Sequence, residues 1–331
     1  MKKVAGASLL AVAVLFTSAV HTLEAQPKKV PRIGYLFPGF PVSESARPFD
    51  NRQQAFYSGL REQGFAVGKD VIIDYKYLER KSGGWGPVAT ELAGAKVNLI
   101  VATSSPAIHA VTRATTKIPI IIISVNDPIA KGWGSSWPRP GRNITGVSIL
   151  RPGLNGKLLE LLVEAVPRVT RFAALRSSRS DPVYVEETES VARAANVDLQ
   201  TVTVSDPKDL GNTFLAMTKA RIGGLVLLPS VLFVRNMGQI AKLAVESRMP
   251  AIFWRTVFAE RGGFMAFGPN ILDQFRRAGV LAGKILRGSK PADLPMEQSM
   301  KFDLVINLRV AKQIGITVPA NVLYRADRVI K

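Results

Sequence analysis

The sequence predicts an α/β protein built from two doubly wound parallel-sheet units in series. Apolar runs without alternation, such as Leu99-Ile100-Val101-Ala102 and Ile120-Ile121-Ile122-Ile123, suit strands covered on both faces. Helical patterns separate these runs, so a strand–helix order repeats with right-handed crossovers. After Asn126-Asp127-Pro128 a loop rich in Gly, Pro and Trp runs to Arg142, and the pattern then begins again. The two units join near residue 148.

Each element has its own signal. Arg32–Phe37 reads as a strand broken by Pro38-Gly39. Residues 51–63 place Phe56 and Leu60 on one helical face, and Gly64 ends that helix. Residues 71–77 are β-branched and aromatic, hence a strand. A loop from Ser82 to Pro87 leads to a short helix through Ala93. The strand 97–102 runs into Thr103-Ser104-Ser105-Pro106 and a helix to about Thr115. Ser105 is the expected N-cap, with Pro106 in the first turn, where a missing N–H costs nothing. Strands follow at 119–124 and 143–148.

In the second unit, helices at 154–166, 183–195, 210–220 and 235–247 alternate with strands at 171–175, 200–204, 224–228 and 250–254. The tail adds a strand at 263–267, the helix Ile271–Leu286, a strand at 301–307 and a helix from Leu308. A tail that returns to both units makes the lobes discontinuous. The expected bounds are 30–147 with about 268–300, and 148–267 with about 301–331, joined by a multi-strand hinge.

Composition narrows the class. The 331 residues are 47% apolar, enough for one large core or two domain-sized ones. Met1-Lys2-Lys3, a small apolar stretch from Val4 to Val20, and Ala25 before Gln26 read as a secretory signal peptide over 1–25. Its apolar core is short for a membrane anchor. The chain has no cysteine, so neither a disulfide nor a lipidated cysteine is available. An exported, periplasmic protein is expected.

The 44 Lys and Arg outnumber the 25 Asp and Glu, and loss of Lys2, Lys3 and Glu24 with the leader leaves +18. These bases are scattered over many elements, and no helix-turn-helix, zinc-finger spacing or RNA-stacking motif accompanies them. Diffuse charge that attracts anionic ligands is the reading, with no nucleic-acid partner.

Candidate binding residues lie where strands end. Thr103, Ser104 and Ser105 offer hydroxyls and backbone N–H groups at a positive helix end, a setting for a small anion or carboxylate. Asp127, beside Asn126, would meet an α-ammonium group or simply start the Asp-Pro turn. Ser178, Ser180 and Asp181 would bind ligand from the second unit or cap the next helix, capping being the expected role of Asp181. Ser230 after Pro229 stands between the same two readings. Phe37, Trp133, Trp137, Phe233, Phe253, Trp254 and Phe267 fall at or near strand ends; most should pack the core, and Phe37, Phe253 and Phe267 are the candidates for stacking on ligand.

Catalysis finds little support. His109 is the one histidine after the leader. The sequence shows no Gly-x-Ser-x-Gly elbow, phosphate-binding glycine loop or His/Cys metal spacing. Neither an enzyme nor a bound cofactor or metal is expected.

Five motifs occur in order: Arg32-Ile33-Gly34-Tyr35-Leu36; Asp127-Pro128; Arg139-Pro140-Gly141 with Asn143-Ile144-Thr145-Gly146; Gly262-Gly263 before Phe267-Gly268-Pro269-Asn270; and Val305-Ile306-Asn307-Leu308. Together they resemble the ABC transporter substrate-binding protein family whose better-known members take up tryptophan or tyrosine. The resemblance runs from about Val30 to Lys331. It implies the type I periplasmic binding protein fold, two lobes closing on ligand through a three-strand hinge. It also implies ligand contacts at Thr103 to Ser105, at Asp127 and in the second lobe's loops. The implied function is capture of a small organic solute, an amino acid or aromatic carboxylate, by a monomer that delivers it to an inner-membrane ABC permease. A periplasmic sensor subunit is the alternative, and a hydrolase a more distant one. Two loops depart from the family's pattern. Trp133, Gly134, Trp137 and Pro138 replace small and aliphatic residues, and Arg176 to Asp181 replaces Asn-Pro pairs, so the solute is expected to differ from the best-known ones.

Overall fold

The structure is a computed structural model that describes residues 30–37, 51–78, 83–125, 127–149 and 152–331. The leader, Pro38-Gly39 and Asn126 lie outside the described residues.

The chain opens with β1 (Arg32–Phe37), α1 (Asn51–Glu62), β2 (Ile72–Tyr77), α2 (Trp85–Gly94), β3 (Leu99–Ala102), α3 (Ser105–Ala114), β4 (Ile120–Val125) and β5 (Ile144–Ser148). It crosses to α4 (Leu154–Ala165), β6 (Arg171–Ser177), α5 (Pro182–Ala195), β7 (Asp198–Val204), α6 (Leu210–Lys219), β8 (Gly224–Leu227), α7 (Val231–Arg235), α8 (Met237–Glu246), β9 (Ala251–Phe253), α9 (Val257–Glu260) and β10 (Met265–Pro269). It returns for α10 (Ile271–Leu286) and β11 (Glu297–Gln298), then ends with β12 (Phe302–Asn307), α11 (Leu308–Gln313), α12 (Ala320–Tyr324) and β13 (Arg328–Ile330).

Two sheets result. The first has six strands in the order β11-β5-β4-β3-β1-β2, all pairs parallel. The second has seven, in the order β13-β12-β10-β9-β8-β6-β7. Alternation along a buried strand splits the first core into two layers. Leu99 and Val101 face α1 and α10, whereas Ile100 and Ala102 face α2 and α3. All four are fully buried, which is why they form a continuous apolar run.

Among the described residues the chain passes between the sheets three times: after β5, after β10 and after β11. These crossings are tied to one another. The Ser299 N–H donates to the Ser148 carbonyl at 2.9 Å, and the Asn270 N–H to the Lys301 carbonyl at 2.9 Å. The Asn270 amide also donates to both Asp303 oxygens, at 3.0 and 2.9 Å, while its Oδ1 caps α10 by accepting from the Asp273 N–H.

Three expectations need correction. Ser104, not Ser105, is the N-cap of α3: its backbone is extended (φ −143°), its Oγ accepts from the Ala107 N–H, and Ser105 and Pro106 are already helical. The helix expected at 235–247 starts at Met237 as α8, because Asn236 ends the separate helix α7 with its own N–H on the Phe233 carbonyl and its amide on the Leu232 carbonyl. The second sheet is mixed, since β12 runs antiparallel to β10 after the last crossing. The short elements α7, α9, β11, α12 and β13 had no sequence reading.

Candidate functional site

The first sheet reverses its order of growth at β1, which has β2 on one side and β3 on the other. Such a switch point leaves a crevice beyond the strands' carboxyl ends. Phe37 ends β1 there, and Thr103 and Ser104 follow β3. The Thr103 hydroxyl donates to the Leu36 carbonyl at 3.4 Å, linking the two strand ends. Thr103 and Ser104 are half-buried, and Ser105 is exposed on the first turn of α3. Phe37, half-buried, packs on Tyr77 at 5.8 Å and carries the Arg52 guanidinium 5.7 Å over its ring. Asp127 starts its own turn: Oδ1 accepts from the Ile129 and Ala130 N–H groups at 3.0 and 2.9 Å.

The second sheet has its switch point at β6, between β7 and β8. There a chain of hydroxyls joins the two strand ends. Because the Pro229 carbonyl can only accept, Ser180 must donate to it at 3.1 Å. Ser177 then donates to Ser180 at 3.1 Å, and Ser230 to Ser177 at 2.9 Å. Ser230 also accepts from the Leu232 N–H at 3.1 Å, capping α7. Thus Ser180, buried, and Ser230, half-buried, hold the crevice wall in place, with their protons already committed. Ser177 does the same work and was not singled out from sequence; the Ser177-Ser178 pair at a strand end was the available signal. Ser178 is exposed, and Asp181 caps α5 by accepting from the Val183 N–H at 3.1 Å.

The aromatic candidates divide. Phe253 is fully buried and stacked on Phe258 with centroids 4.8 Å apart, so it belongs to the core and not to a ligand surface. Phe233 is also fully buried, and Trp254 is buried against Phe258. Trp133 is buried under its loop with Lys131 over its ring, and the Trp137 carbonyl accepts from the Met296 N–H at 2.8 Å. Phe267 remains half-buried, stacked on Phe302 across the β10–β12 pair at 5.6 Å. Of the three phenylalanines expected to stack on ligand, Phe37 and Phe267 are therefore the ones that keep partly open faces.

Sequence reasoning missed two cations. Arg255 follows β9 at the same edge as Ser230, and Arg52 stands in the first turn of α1 beside Phe37. Burial first, and then the field of Arg52, lowers the Arg255 pKa below the usual guanidinium range. The available signal was Arg255 following directly on a predicted strand.

Other titratable groups look structural. Tyr57 and Tyr75 share a hydroxyl–hydroxyl bond of 2.7 Å, and burial pushes both phenols up, so neither ionises near neutral pH. His109 is exposed on α3. Among the described residues, no three His, Cys, Asp or Glu side chains gather as a metal site, and no helix is long and apolar enough to cross a membrane.

Two α/β lobes, three crossings between them and a switch point in each sheet define a two-lobed solute-binding protein of the type I periplasmic kind. The chain belongs to the ABC transporter substrate binding protein family, whose profile matches residues 41–330. It is 25% identical over 269 residues to the tyrosine-binding protein of Clostridioides difficile (strain R20291), covering 81% of this chain and 77% of that protein. It matches the structure of an ABC domain in complex with L-Trp from Streptococcus pneumonia with a TM-score of 0.74 and 27% identity, over 91% of this chain and 99% of that one. A ligand-free, open structure of a substrate-binding protein with adhesive properties from Clostridium difficile matches with a TM-score of 0.75 and 25% identity, over 91% and 100%. The family binds small solutes for ABC transporters outside the cytoplasm and is not a family of enzymes.

Proposed function

We propose that this protein captures a small carboxylate-bearing organic solute, an amino acid or an aromatic acid, between its lobes and releases it unchanged to an ABC permease. A signal peptide over 1–25 sends the chain to the periplasm, where it acts as a monomer without cofactor or nucleic acid. The lobes take residues 30–147 with about 268–300, and 148–267 with about 301–331. The observation that carries the reading is the presence of a switch-point crevice in each sheet, each lined with hydroxyls, with the half-buried Phe37 at the first of them. Thr103, Ser104 and Ser105 receive the carboxylate; the Ser104 and Ser105 hydroxyls and the N–H groups at the start of α3 supply donors, while Thr103 shapes the strand end through its bond to Leu36. Phe37 and Phe267 flank the solute's ring, and Ser178 and Ser230 border it from the second lobe. For an amino acid, Asp127, whose Oδ1 is taken by two backbone N–H groups, offers Oδ2 to the ammonium group. The L-Trp complex and the tyrosine-binding relative support this solute class.

Melting curves recorded with L-tryptophan, L-tyrosine and a panel of aromatic carboxylates test it. Ligand that binds only the folded state adds RT ln(1 + [L]/Kd), about 2.7 kcal/mol at a hundredfold excess over Kd. At least one compound should raise the melting temperature and be recovered intact. Chemical turnover of the bound compound would refute the reading.

A further inference from the structure

The hydroxyl chain at the second switch point has a direction, and that direction decides what Ser230 can offer a solute. Each serine hydroxyl has one proton and two lone pairs. The Ser180 proton goes to the Pro229 carbonyl at 3.1 Å, and its lone pairs take the Ser177 N–H and the Ser177 hydroxyl, both at 3.1 Å. With its own proton so committed, the Ser177 hydroxyl accepts from Ser230 at 2.9 Å. Ser230 keeps two lone pairs, one of them filled by the Leu232 N–H at 3.1 Å. Ser177 and Ser180 are buried, 3% and 6% exposed, which fixes the direction, whereas Ser230 is half-buried. Its partners all lie within the fold, so its one open position is an acceptor on the side that water reaches. Apolar surface stands uncovered beside it. Val231 and Val183, in the first turns of the helices that follow the paired strands β8 and β6, are 70% and 42% exposed at the same edge. Arg176, the last side chain of β6 before Ser177, is directed to the Ser177 and Ser180 carbonyls, at 3.4 and 2.9 Å.

We propose that Ser230 is an acceptor-only contact, so that the captured solute carries, besides its carboxylate, an N–H or O–H donor that it places on the second lobe. This rests on the solute-capture reading above and narrows its substrate class. An ammonium group or a ring hydroxyl fills the open lone pair. A carbonyl or ether oxygen in the same place would set two acceptors face to face and leave both desolvated without a bond. A free serine hydroxyl turns to suit either partner; the chain beneath Ser230 removes that freedom.

Titration calorimetry on two matched pairs tests the proposal and separates the two sources of the donor. L-Phenylalanine against phenylpyruvate tests the ammonium group, and 3-(4-hydroxyphenyl)propionate against 3-(4-methoxyphenyl)propionate the hydroxyl. In at least one pair the donor-bearing member should bind about tenfold or more tightly, and that pair names the donor. S177A frees the Ser230 proton to turn outward, so the same ratio should fall about fivefold or more. Comparing ratios cancels the bulk of the added methyl group. A ratio at or below one in both pairs overturns the proposal and leaves solute capture standing. A preference that S177A leaves unmoved also overturns it, because a preference set by Asp127 would survive that change. If none of the four compounds binds, the solute class fails instead. In that case, or if S177A does not fold, neutron diffraction from the ligand-free wild-type protein decides. A Ser230 deuteron directed at Ser177 upholds the proposal, and one directed into the crevice overturns it.

Discussion

Gly279→Val is expected to leave the first lobe unfolded or to lower its stability by about 3 kcal/mol or more, the upper range of overpacking. Helices α1 and α10 cross backbone to backbone at two glycines. A Cβ on Gly279 would stand 2.1 Å from the Phe56 carbonyl oxygen and 3.0 Å from the Gly59 Cα, and one on Gly59 would stand 1.9 Å from the Arg276 carbonyl oxygen. Backbone cannot swing aside as the end of a side chain can, so the helices must part. Their separation would open the layer that Phe56, Leu60, Phe275 and Leu281 close against β1, β3 and β4. It would also displace a helix that starts at the second crossing between the lobes. Circular dichroism and urea unfolding measure the loss. Gly211→Ala is the control, because nothing lies within 4 Å of a Cβ at that helical glycine; it should gain up to about 1 kcal/mol.

Glu187→Ala is expected to cost about 2–4 kcal/mol, read from the urea midpoint at unchanged slope. The cause lies at the start of α4, just beyond the first crossing. Its N-cap is Gly153, in the left-handed region (φ 80°), which has no side chain to accept the free N–H groups. Glu187 of α5 does this from outside. Its Oε1 accepts from the Gly153 N–H at 2.7 Å, and its Oε2 from the Asn155 N–H at 3.2 Å and the Asn155 amide at 2.8 Å. Asn155 is buried, so alanine at 187 strands polar groups that water reaches poorly. Glu187→Gln, which keeps an acceptor oxygen without the charge, should recover part of the loss. Equal losses for Gln and Ala would show that the charge at the helix start, and not the acceptor, is what matters.

Much of the fold was legible because buried parallel strands write themselves as unbroken apolar runs; Leu99–Ala102, Ile120–Ile123 and Gly224–Leu227 are examples. What escaped was of two kinds. Strand direction and two-residue pairing leave no periodicity, so the antiparallel β12 and the short β11 emerge only when the tail finds its partners. Adjacent residues of equal propensity also compete locally, as Ser104 and Ser105 did for the cap of α3.

The family motifs proved to be fold devices. Asn143 ties the end of α3 to β4 through the Thr115 and Ile118 carbonyls, and Thr145 donates to the Leu294 and Pro295 carbonyls. Asn307 caps α11 and holds the Ala259 carbonyl, and Asn270 holds Asp303 at the crossing. These residues identify the architecture and say little about the solute. The place of the strand-end hydroxyls follows from local order, whereas Arg52 reaches the Phe37 ring only through the fold.

The central claim is that two switch-point crevices, one in each lobe, close on a single solute. Small-angle scattering tests it most directly, on the protein alone and on the protein saturated with the compound that raises its melting temperature most. A solute that touches both lobes favours the closed state by its differential affinity for that state. The account predicts a smaller radius of gyration with solute bound. An unchanged or larger radius at saturation would contradict it.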